Sequence, residues 1–262
     1  MDKSLLSYHI QGTGSTVVFL HGFCEDKSIW EAFSNYLSSQ YQVISIDLPG
    51  FGASPNSNEF NSIPSIAHQI KILLDALKIY SCILVGHSLG GYVALEFAES
   101  YPDNTHGLCL FHSTAFADSD EKKNNRNKAI EFIKKNGTYP FIKNLLPSLF
   151  SMANQEKYKN EISDLIEKAK QILPETLIRT SEAMRDRADK IEFIKKYPHP
   201  ILYIVGKEDQ AIPLESSIAQ IHLAQQAHTL FLSNISHMGM LEAHEQTVHT
   251  LEAFLFICNK LQ

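Results

Sequence analysis

A serine between two glycines, in the pattern G-x-S-x-G, is the feature of this sequence that points most directly to chemistry. Ser88 lies between Gly86 and Gly90, and the apolar run 82–85 precedes the pattern. A strand, a sharp turn and a helix in that order form a nucleophile elbow, whose strained turn raises the serine hydroxyl above the edge of a sheet. Glycines are needed because larger side chains would collide where strand and helix approach. We predict that Ser88 is a nucleophile.

The alternative interpretation is a chance match, with an ordinary serine near the start of a helix. Apolar residues at helical spacing follow the motif, at Val93, Ala94, Phe97 and Ala98. They supply the helix that the elbow requires, so the catalytic interpretation is favoured.

A serine hydroxyl also needs a histidine base and a carboxylate that orients the base. With this motif the chain order is serine, acid, histidine. Asp209 follows the apolar run 201–205, and His237 follows the run 229–232. Because the carboxyl ends of parallel strands meet at one sheet edge, we predict Asp209 as acid and His237 as base. The alternatives are a turn-capping Asp209, with Asp118 as the acid, and an inert loop histidine.

Acyl transfer needs hydrogen-bond donors for the oxyanion that develops on the substrate. The elbow offers the backbone N–H of Leu89. The loop after the run 17–20 offers the backbone N–H of Phe23. His87, inside the elbow, is predicted to be structural or to line the pocket.

Neither a metal nor a cofactor is predicted. His244 and His249 are five residues apart, whereas the zinc motif H-E-x-x-H needs a spacing of four. The segment Gly12-Thr13-Gly14 lacks the third glycine of a dinucleotide-binding loop.

Short apolar runs alternate with amphipathic stretches along most of the chain. The predicted strands are 17–20, 43–46, 83–85, 108–111, 201–205 and 229–232. The predicted helices are 29–37, 63–77, 88–100, 214–223 and 242–258. This alternation predicts an α/β fold with a doubly wound, mostly parallel sheet.

The alternation stops between the fourth and fifth predicted strands, where the pattern is polar and helical. We predict a core of residues 1–112 and 197–262, with residues 113–196 inserted as a helical cap. A separate all-helical domain is the alternative. Apolar side chains of the cap and the loops are expected to line a substrate pocket. The candidates for this lining are His87, Phe116, Phe141, Leu145 and Met238.

The composition limits the classes of partner. The chain has 262 residues and a net charge of −6, which disfavours nucleic acid because phosphate binding relies on clustered Lys and Arg. One basic cluster consists of Lys122, Lys123, Arg126 and Lys128. A solvated helix face is its favoured interpretation, and a site for an acidic substrate or carrier is the alternative.

Nothing in the pattern indicates secretion or a membrane. Residues 1–10 lack a signal-sequence pattern, and apolar runs such as 251–258 are too short to cross a bilayer. The four cysteines contain no C-x-x-C pair, which is typical of reduced thiols. We expect a cytoplasmic protein without membrane contact.

Five motifs, in order, resemble the α/β-hydrolase superfamily, and most of all its small capped esterases, enol-lactonases and cofactor-free perhydrolases. They are His21-Gly22-Phe23, the segment from Asp47 to Ser54, Gly86-His87-Ser88-Leu89-Gly90-Gly91, Asp209 with Ile212-Pro213, and His237 with Leu241-Glu242. The resemblance implies Ser88 as nucleophile, Asp209 as acid, His237 as base, and Phe23 and Leu89 as oxyanion donors. It implies a structural role for the Asp47 segment.

Three departures from the family pattern are visible. Ser236 replaces a common glycine, His244 replaces a common proline, and the short N-terminal region lacks an evident first strand. None removes a reacting group. The expected function is that of a carboxylesterase-like enzyme that hydrolyses a small apolar ester or lactone through an acyl-enzyme. The alternatives are a perhydrolase or carbon–carbon hydrolase with the same triad, and a small-ligand receptor or signalling protein on this fold.

Overall fold

The structure, a computed structural model, describes residues 6–57 and 59–261. Seven strands form one sheet in the order β1-β3-β2-β4-β5-β6-β7, and β1 alone runs antiparallel to its neighbour. The strands are β1 (Tyr8–Gln11), β2 (Thr16–Leu20), β3 (Gln42–Ile46), β4 (Cys82–His87), β5 (Thr105–Phe111), β6 (Ile201–Gly206) and β7 (Ala227–Leu232). The predicted fold class, with a mostly parallel sheet, is confirmed.

All six predicted strands are present, each with slightly wider bounds. Strands β2, β4, β5 and β6 are buried along their whole length, which explains their continuous apolar runs. The expectation that a first strand is missing was wrong. Strand β1 escaped notice because it is a sheet edge whose side chains Tyr8, His9 and Ile10 are exposed, so it carries no apolar run.

Helices lie on both faces of the sheet. They are α1 (Glu31–Leu37), α2 (Ile63–Ala76), α3 (Leu89–Ser100), α4 (Asp120–Asn136), α5 (Thr138–Ser148), α6 (Lys159–Ala169), α7 (Pro174–Arg185), α8 (Ile191–Lys196), α9 (Leu214–Ile221), α10 (Gly239–Glu242) and α11 (His244–Lys260). Helices α2 and α3 pack on each other, as do α1 and α11. The last predicted helix, 242–258, corresponds to α11, whereas Glu242 ends the separate short helix α10. Among the described helices, none combines the length and apolarity needed to span a bilayer.

Helices α4 to α8 all lie between β5 and β6, and we call residues 120–196 the helical insert. Its prolines stand near helix ends rather than inside long helices: Pro140 in the first turn of α5, Pro147 in the last turn, and Pro174 at the start of α7. A missing N–H is harmless in a first turn, where no intrahelical acceptor exists. The predicted cap boundaries, 113–196, stay a prediction.

The parallel register brings the ends of five strands to one edge of the sheet. Leu20 of β2 pairs with Gly86 of β4, and His87 of β4 pairs with Phe111 of β5. Phe111 also pairs with Ile204 of β6. The last residue of β6, Gly206, pairs with Leu232, the last residue of β7. The loops that follow β2, β4, β6 and β7 therefore meet, although β2 ends at Leu20 and β7 only at Leu232.

Candidate active site

Ser88 occupies a strained turn between β4 and α3. Its backbone has φ 48° and ψ −110°, a conformation that residues other than glycine rarely adopt. Two contacts hold it there: the Ser88 N–H donates to the Phe111 carbonyl across 3.0 Å, and Ser113 Oγ donates to the Ser88 carbonyl across 2.7 Å. The surroundings thus impose a conformation that costs on the order of 1–3 kcal/mol, as active-site turns often do.

The glycines of the elbow are needed for space. A Cβ added to Gly86 would lie 2.3 Å from the carbonyl carbon and oxygen of Gly90. A Cβ added to Gly90 would lie 2.3 Å from the Leu20 carbonyl oxygen. These neighbours are backbone atoms, so no side-chain rotation relieves the contact.

His237 and Asp209 are joined although they follow different strands. His237 Nδ1 lies 2.8 Å from Asp209 Oδ2, and both side chains are buried. The other carboxylate oxygen, Oδ1, accepts the backbone N–H groups of Ala211 at 2.8 Å and Ile212 at 2.9 Å. The carboxylate is therefore fixed from both sides, and its orientation fixes the imidazole.

The two groups shift each other's protonation. Burial opposes the charge on Asp209, but the adjacent His237 and the hydrogen bonds to the carboxylate outweigh burial and hold the pKa of Asp209 well below its usual range. Burial also opposes a charged His237, yet the Asp209 carboxylate raises the pKa of His237 above the ordinary 6.5. Asp209 is thus ionised at neutral pH and stabilises a proton on His237.

Ser88 and His237 line the same cavity, whose volume is about 120 Å³. Within the described chain, no hydrogen bond joins Ser88 Oγ to the His237 ring. Such contacts are often long without substrate and shorten when substrate binds. The structure therefore brings His237 and Asp209 into direct contact and places Ser88 across a shared space.

The loop after β2 is held by hydrogen bonds between its own residues. His21 donates from Nδ1 to the Gly22 carbonyl at 2.7 Å, and the Gly22 N–H donates to Glu25 Oε2 at 2.7 Å. The N–H groups of Phe23 and Leu89 donate to no acceptor among residues 6–57 and 59–261. Both predicted oxyanion donors are therefore unused in this structure.

Glu25 is a buried acid of this site that the sequence did not reveal. Its carboxylate oxygens lie 2.9 and 3.0 Å from Nδ1 of His87, and both side chains are about 1% exposed. Burial opposes the charge on Glu25, but His87 and the Gly22 N–H lower its pKa, so it is ionised. The second ring nitrogen of His87 faces the His237 carbonyl at 3.0 Å. Both ring nitrogens of His87 therefore lie within hydrogen-bond distance of acceptor oxygens, and His87 links Glu25 to the His237 main chain.

His112, directly after β5, is the second side chain that the sequence analysis missed. Its Nδ1 lies 3.3 Å from Asp209 Oδ2, and burial lowers the pKa of His112 to about 4. His112 is therefore neutral at pH 7 and packs beside the pair without adding charge. The only signal in the sequence was its position at the end of a strand on this sheet edge.

A metal ion could be shared by one described trio, His112, Asp209 and His237, whose ligand atoms lie within 4.8 Å of one another. Two of these atoms already form the Asp209–His237 hydrogen bond. A metal would have to break that bond, so the donor set fits a proton-transfer role better than a metal site.

The predicted pocket lining needs correction. His87 and Leu145 do line the cavity, together with Tyr92, Leu149, Met184 and Ile212. Phe116 borders a different cavity, beside Lys122 and Arg187. Phe141 is not among the lining residues, but its ring centroid lies 6.3 Å from that of Phe23, which does line the cavity. Met238 is fully buried in the core and is not among the residues that line the cavity.

The alternative acid, Asp118, is bound by two arginines rather than by a histidine. Arg126 Nε and Arg187 Nη1 both donate to its carboxylate, the latter across 2.7 Å. The basic cluster is also not wholly a solvated face: Arg126 borders the Ser88 cavity, and Lys122 Nζ donates to the Ala211 carbonyl at 3.0 Å. Lys128 is exposed.

The helical insert is tied to the loop that carries His237. The His237 N–H donates to the Leu149 carbonyl at 2.9 Å. Glu242 accepts from the backbone N–H groups of Ser236 at 3.2 Å and Ser151 at 3.0 Å, so this carboxylate bridges the loop and the insert.

The chain is similar in sequence to parts of known proteins. A dihydrolipoyllysine-residue acetyltransferase component of an acetoin cleaving system from Pseudomonas putida is 27% identical over 254 residues, 95% of this chain and 65% of that protein. A pimeloyl-(acyl-carrier protein) methyl ester esterase from Aeromonas hydrophila is 38% identical over 104 residues, 39% of each protein. The matched parts thus span less than two thirds of either relative.

A thermophilic esterase from Thermogutta terrifontis has a similar structure. The TM-score is 0.91 at 27% sequence identity, and the match covers 97% of this chain and 93% of the esterase. Residues 15–243 also match the family described as the alpha/beta hydrolase fold. Because that match includes the elbow and both loops of the candidate site, the chain belongs to the α/β-hydrolase family.

Proposed function

We propose that this protein is a serine hydrolase that cleaves a small apolar carboxylic ester or lactone through an acyl-enzyme on Ser88. The observation that carries the proposal is the shared cavity. One side presents Ser88 on its strained turn, and the other presents His237, oriented by buried Asp209. The esterases among its relatives support the same class of reaction.

In the first half of the proposed reaction, Ser88 Oγ attacks the carbonyl carbon while His237 Nε2 takes the serine proton. The N–H groups of Phe23 and Leu89 stabilise the negative charge that develops on the carbonyl oxygen. The tetrahedral intermediate then collapses. The bond to the alcohol oxygen breaks, and His237 returns its proton to that oxygen, which leaves an ester between Ser88 and the acyl group.

In the second half, a water molecule attacks the acyl-enzyme and His237 takes a proton from that water. Collapse of the second intermediate breaks the bond to Ser88 Oγ, to which His237 returns the proton. The products are the free acid and the unchanged protein. Asp209 stays ionised throughout and stabilises the imidazolium at each step.

We further propose that the helical insert is a cap that limits the size of the substrate. Leu145, Leu149 and Met184 of the insert line the cavity. A volume of about 120 Å³ approaches that of apolar cavities of ~150 Å³ that hold benzene in other proteins. Short acyl groups are therefore expected to fit better than long ones.

Two measurements test this function. The first is labelling with a fluorophosphonate probe, and the second is hydrolysis of p-nitrophenyl esters of increasing acyl length. The wild-type protein is expected to be labelled and to prefer short acyl chains. Ser88→Ala should abolish labelling and lower kcat by about 10⁶-fold. Ser100→Ala, an exposed serine at the far end of α3, is the matched control and should resemble wild type.

Full esterase activity in Ser88→Ala would overturn the proposal. Peracid formation in the presence of hydrogen peroxide, at a rate exceeding ester hydrolysis, would assign the perhydrolase reaction to the same residues. Tight binding of a small ligand with turnover far below one per second on every ester would instead indicate a receptor.

A further inference from the structure

The Ser88 cavity contains a cationic side chain from the helical insert. Arg126, on α4, borders the cavity together with Ser88 and His237. Its side chain is about one quarter exposed and turned toward the fold rather than into solvent. A guanidinium beside a reacting centre is a ready partner for an anionic group of a ligand.

The charge of Arg126 is only partly balanced within the protein. Its nearest acid, Asp118, is fully buried and ionised, since the two arginines outweigh the effect of burial and lower its pKa. One carboxylate is thus shared by two guanidinium groups, Arg126 and Arg187. This cluster carries one net positive charge.

The two arginines differ in how fully their donors are used. Arg187 donates to Asp118, to the Met184 carbonyl and to the Phe116 carbonyl, and its guanidinium lies 3.9 Å from the ring centroid of Tyr92. Arg126 donates to Asp118 through Nε and makes one long contact of 3.5 Å from Nη1 to the Met184 sulfur. Among the described residues, Nη2 of Arg126 has no hydrogen-bond partner, so donors remain available.

No second carboxylate among the described residues of the cavity lining is free to neutralise this charge. Glu25 is the acidic residue of the lining, and its carboxylate is already bound by Nδ1 of His87 and the Gly22 N–H. Lys122, one helical turn before Arg126, lies near enough that its charge acts on the protonation of His237. The end of the cavity toward α4 is therefore electropositive, while Leu145, Leu149 and Ile212 make other walls apolar.

We propose that Arg126 binds a carboxylate carried by the substrate, so that the preferred substrates are short esters or lactones with a second, anionic end. This inference rests on the proposed hydrolase function. An Arg–carboxylate pair can form two parallel hydrogen bonds, which would orient the substrate as well as attract it. Arg126 would then determine specificity without touching the reacting atoms.

The test compares kcat/KM for monomethyl glutarate with that for methyl pentanoate, in which a methyl group replaces the carboxylate. The measured quantity is the ratio of the two values, anionic over neutral. In Arg126→Gln this ratio is expected to fall roughly 10- to 100-fold, the effect of losing a hydrogen bond to a charged group. Arg126→Lys should give an intermediate ratio, and Lys128→Gln, an exposed control on the same helix, should keep that of wild type.

A second measurement needs only the wild-type protein, which covers the case of a variant that does not fold. Glutarate should slow fluorophosphonate labelling of Ser88 at concentrations at least roughly tenfold lower than glutaramide, its uncharged diamide. Equal protection by the two compounds, or a ratio that changes less than about threefold in a folded Arg126→Gln protein, would overturn the inference.

These experiments distinguish a failure of the anionic specificity from a failure of the hydrolase function. If both esters are hydrolysed in a Ser88-dependent way but the ratio does not depend on Arg126, only the anionic specificity is wrong. If neither ester is hydrolysed and Ser88→Ala behaves like wild type, the hydrolase function is wrong and this inference falls with it.

Discussion

The His87 ring donates from Nε2 to the carbonyl oxygen of His237 across 3.0 Å. His87, which directly precedes Ser88, thus holds the main chain of His237. The other nitrogen of the ring is bound by Glu25, which also accepts the Gly22 N–H next to Phe23. Three loops from different strands are thus joined through the buried Glu25–His87 contact. Within the proposed mechanism, Glu25 and His87 are positioning residues.

Replacing Glu25 by glutamine should reveal this role. The change leaves a buried His87 without its anionic partner, so the free energy of unfolding is expected to fall by about 3 kcal/mol. The charge of Glu25 also contributes to the raised pKa of His237, so the acid limb of the pH profile of kcat/KM should move to lower pH. A thermal melt and a pH profile measure the two effects.

Glu31→Gln is the control, because Glu31 is an exposed acid at the start of α1. It should change neither quantity. A Glu25→Gln protein that loses stability but keeps the wild-type pH profile would show that the ion pair is structural only.

Activity should depend on pH through His237. The proposed base must be neutral, and the pKa of His237 is raised above 6.5, so kcat/KM should fall with decreasing pH at a higher pH than for an ordinary histidine. Asp209→Asn removes the carboxylate that raises this pKa. The acid limb should then move to lower pH, and kcat should fall by about 10⁴-fold.

His222→Gln, which changes an exposed histidine, should leave the pH profile as it is. The assignment of His237 as the base would be refuted by an acid limb that stays in place in Asp209→Asn.

Alanine at Gly90 should harm both folding and turnover. Its Cβ would meet the Leu20 carbonyl oxygen at 2.3 Å and the His21 carbonyl oxygen at 2.8 Å, in the segment that leads to Phe23. We expect a loss of about 1–3 kcal/mol in unfolding free energy, together with a lower kcat, because the oxyanion loop must move.

Gly137→Ala separates the two effects. Gly137 has φ 80° and ψ 179°, a conformation that costs alanine about 1–3 kcal/mol, but no atom of the described residues lies within 4 Å of an added Cβ. It should therefore lose comparable stability with kcat unchanged. Equal kcat values in the two variants would argue against a steric link between the elbow and the oxyanion loop.

Glu242→Gln should loosen the loop that carries His237. The carboxylate accepts from the Ser236 and Ser151 N–H groups and from Asn154 Nδ2 at 2.8 Å, and an amide cannot accept on both sides. The free energy of unfolding should fall by about 1–3 kcal/mol. Amide hydrogen exchange should become faster in residues 236–238 and 149–154.

The neighbouring Glu245 is exposed, so Glu245→Gln is the matched control and should exchange like wild type. Faster exchange spread over the whole sheet in Glu242→Gln would indicate general destabilisation rather than a local tether.

Local patterns were sufficient for much of this fold. Strands buried on both faces must be apolar throughout, so β2, β4, β5 and β6 were visible as continuous runs. Strand β1 was not, because an exposed edge needs no apolar pattern. The elbow could be read directly, since a sharp turn between strand and helix requires small residues at Gly86 and Gly90.

The sequence by itself determined which side chains reach one edge of the sheet: Ser88, Asp209 and His237 follow parallel strands, and parallel strands end together. Only the tertiary structure decided where the other side chains point. It paired Glu25 with His87, turned Arg126 of the basic cluster toward the cavity, and left Met238 in the core. The reason is physical. Strand ends are set by local apolar runs, whereas the partner of a buried charge depends on packing between segments far apart in the chain.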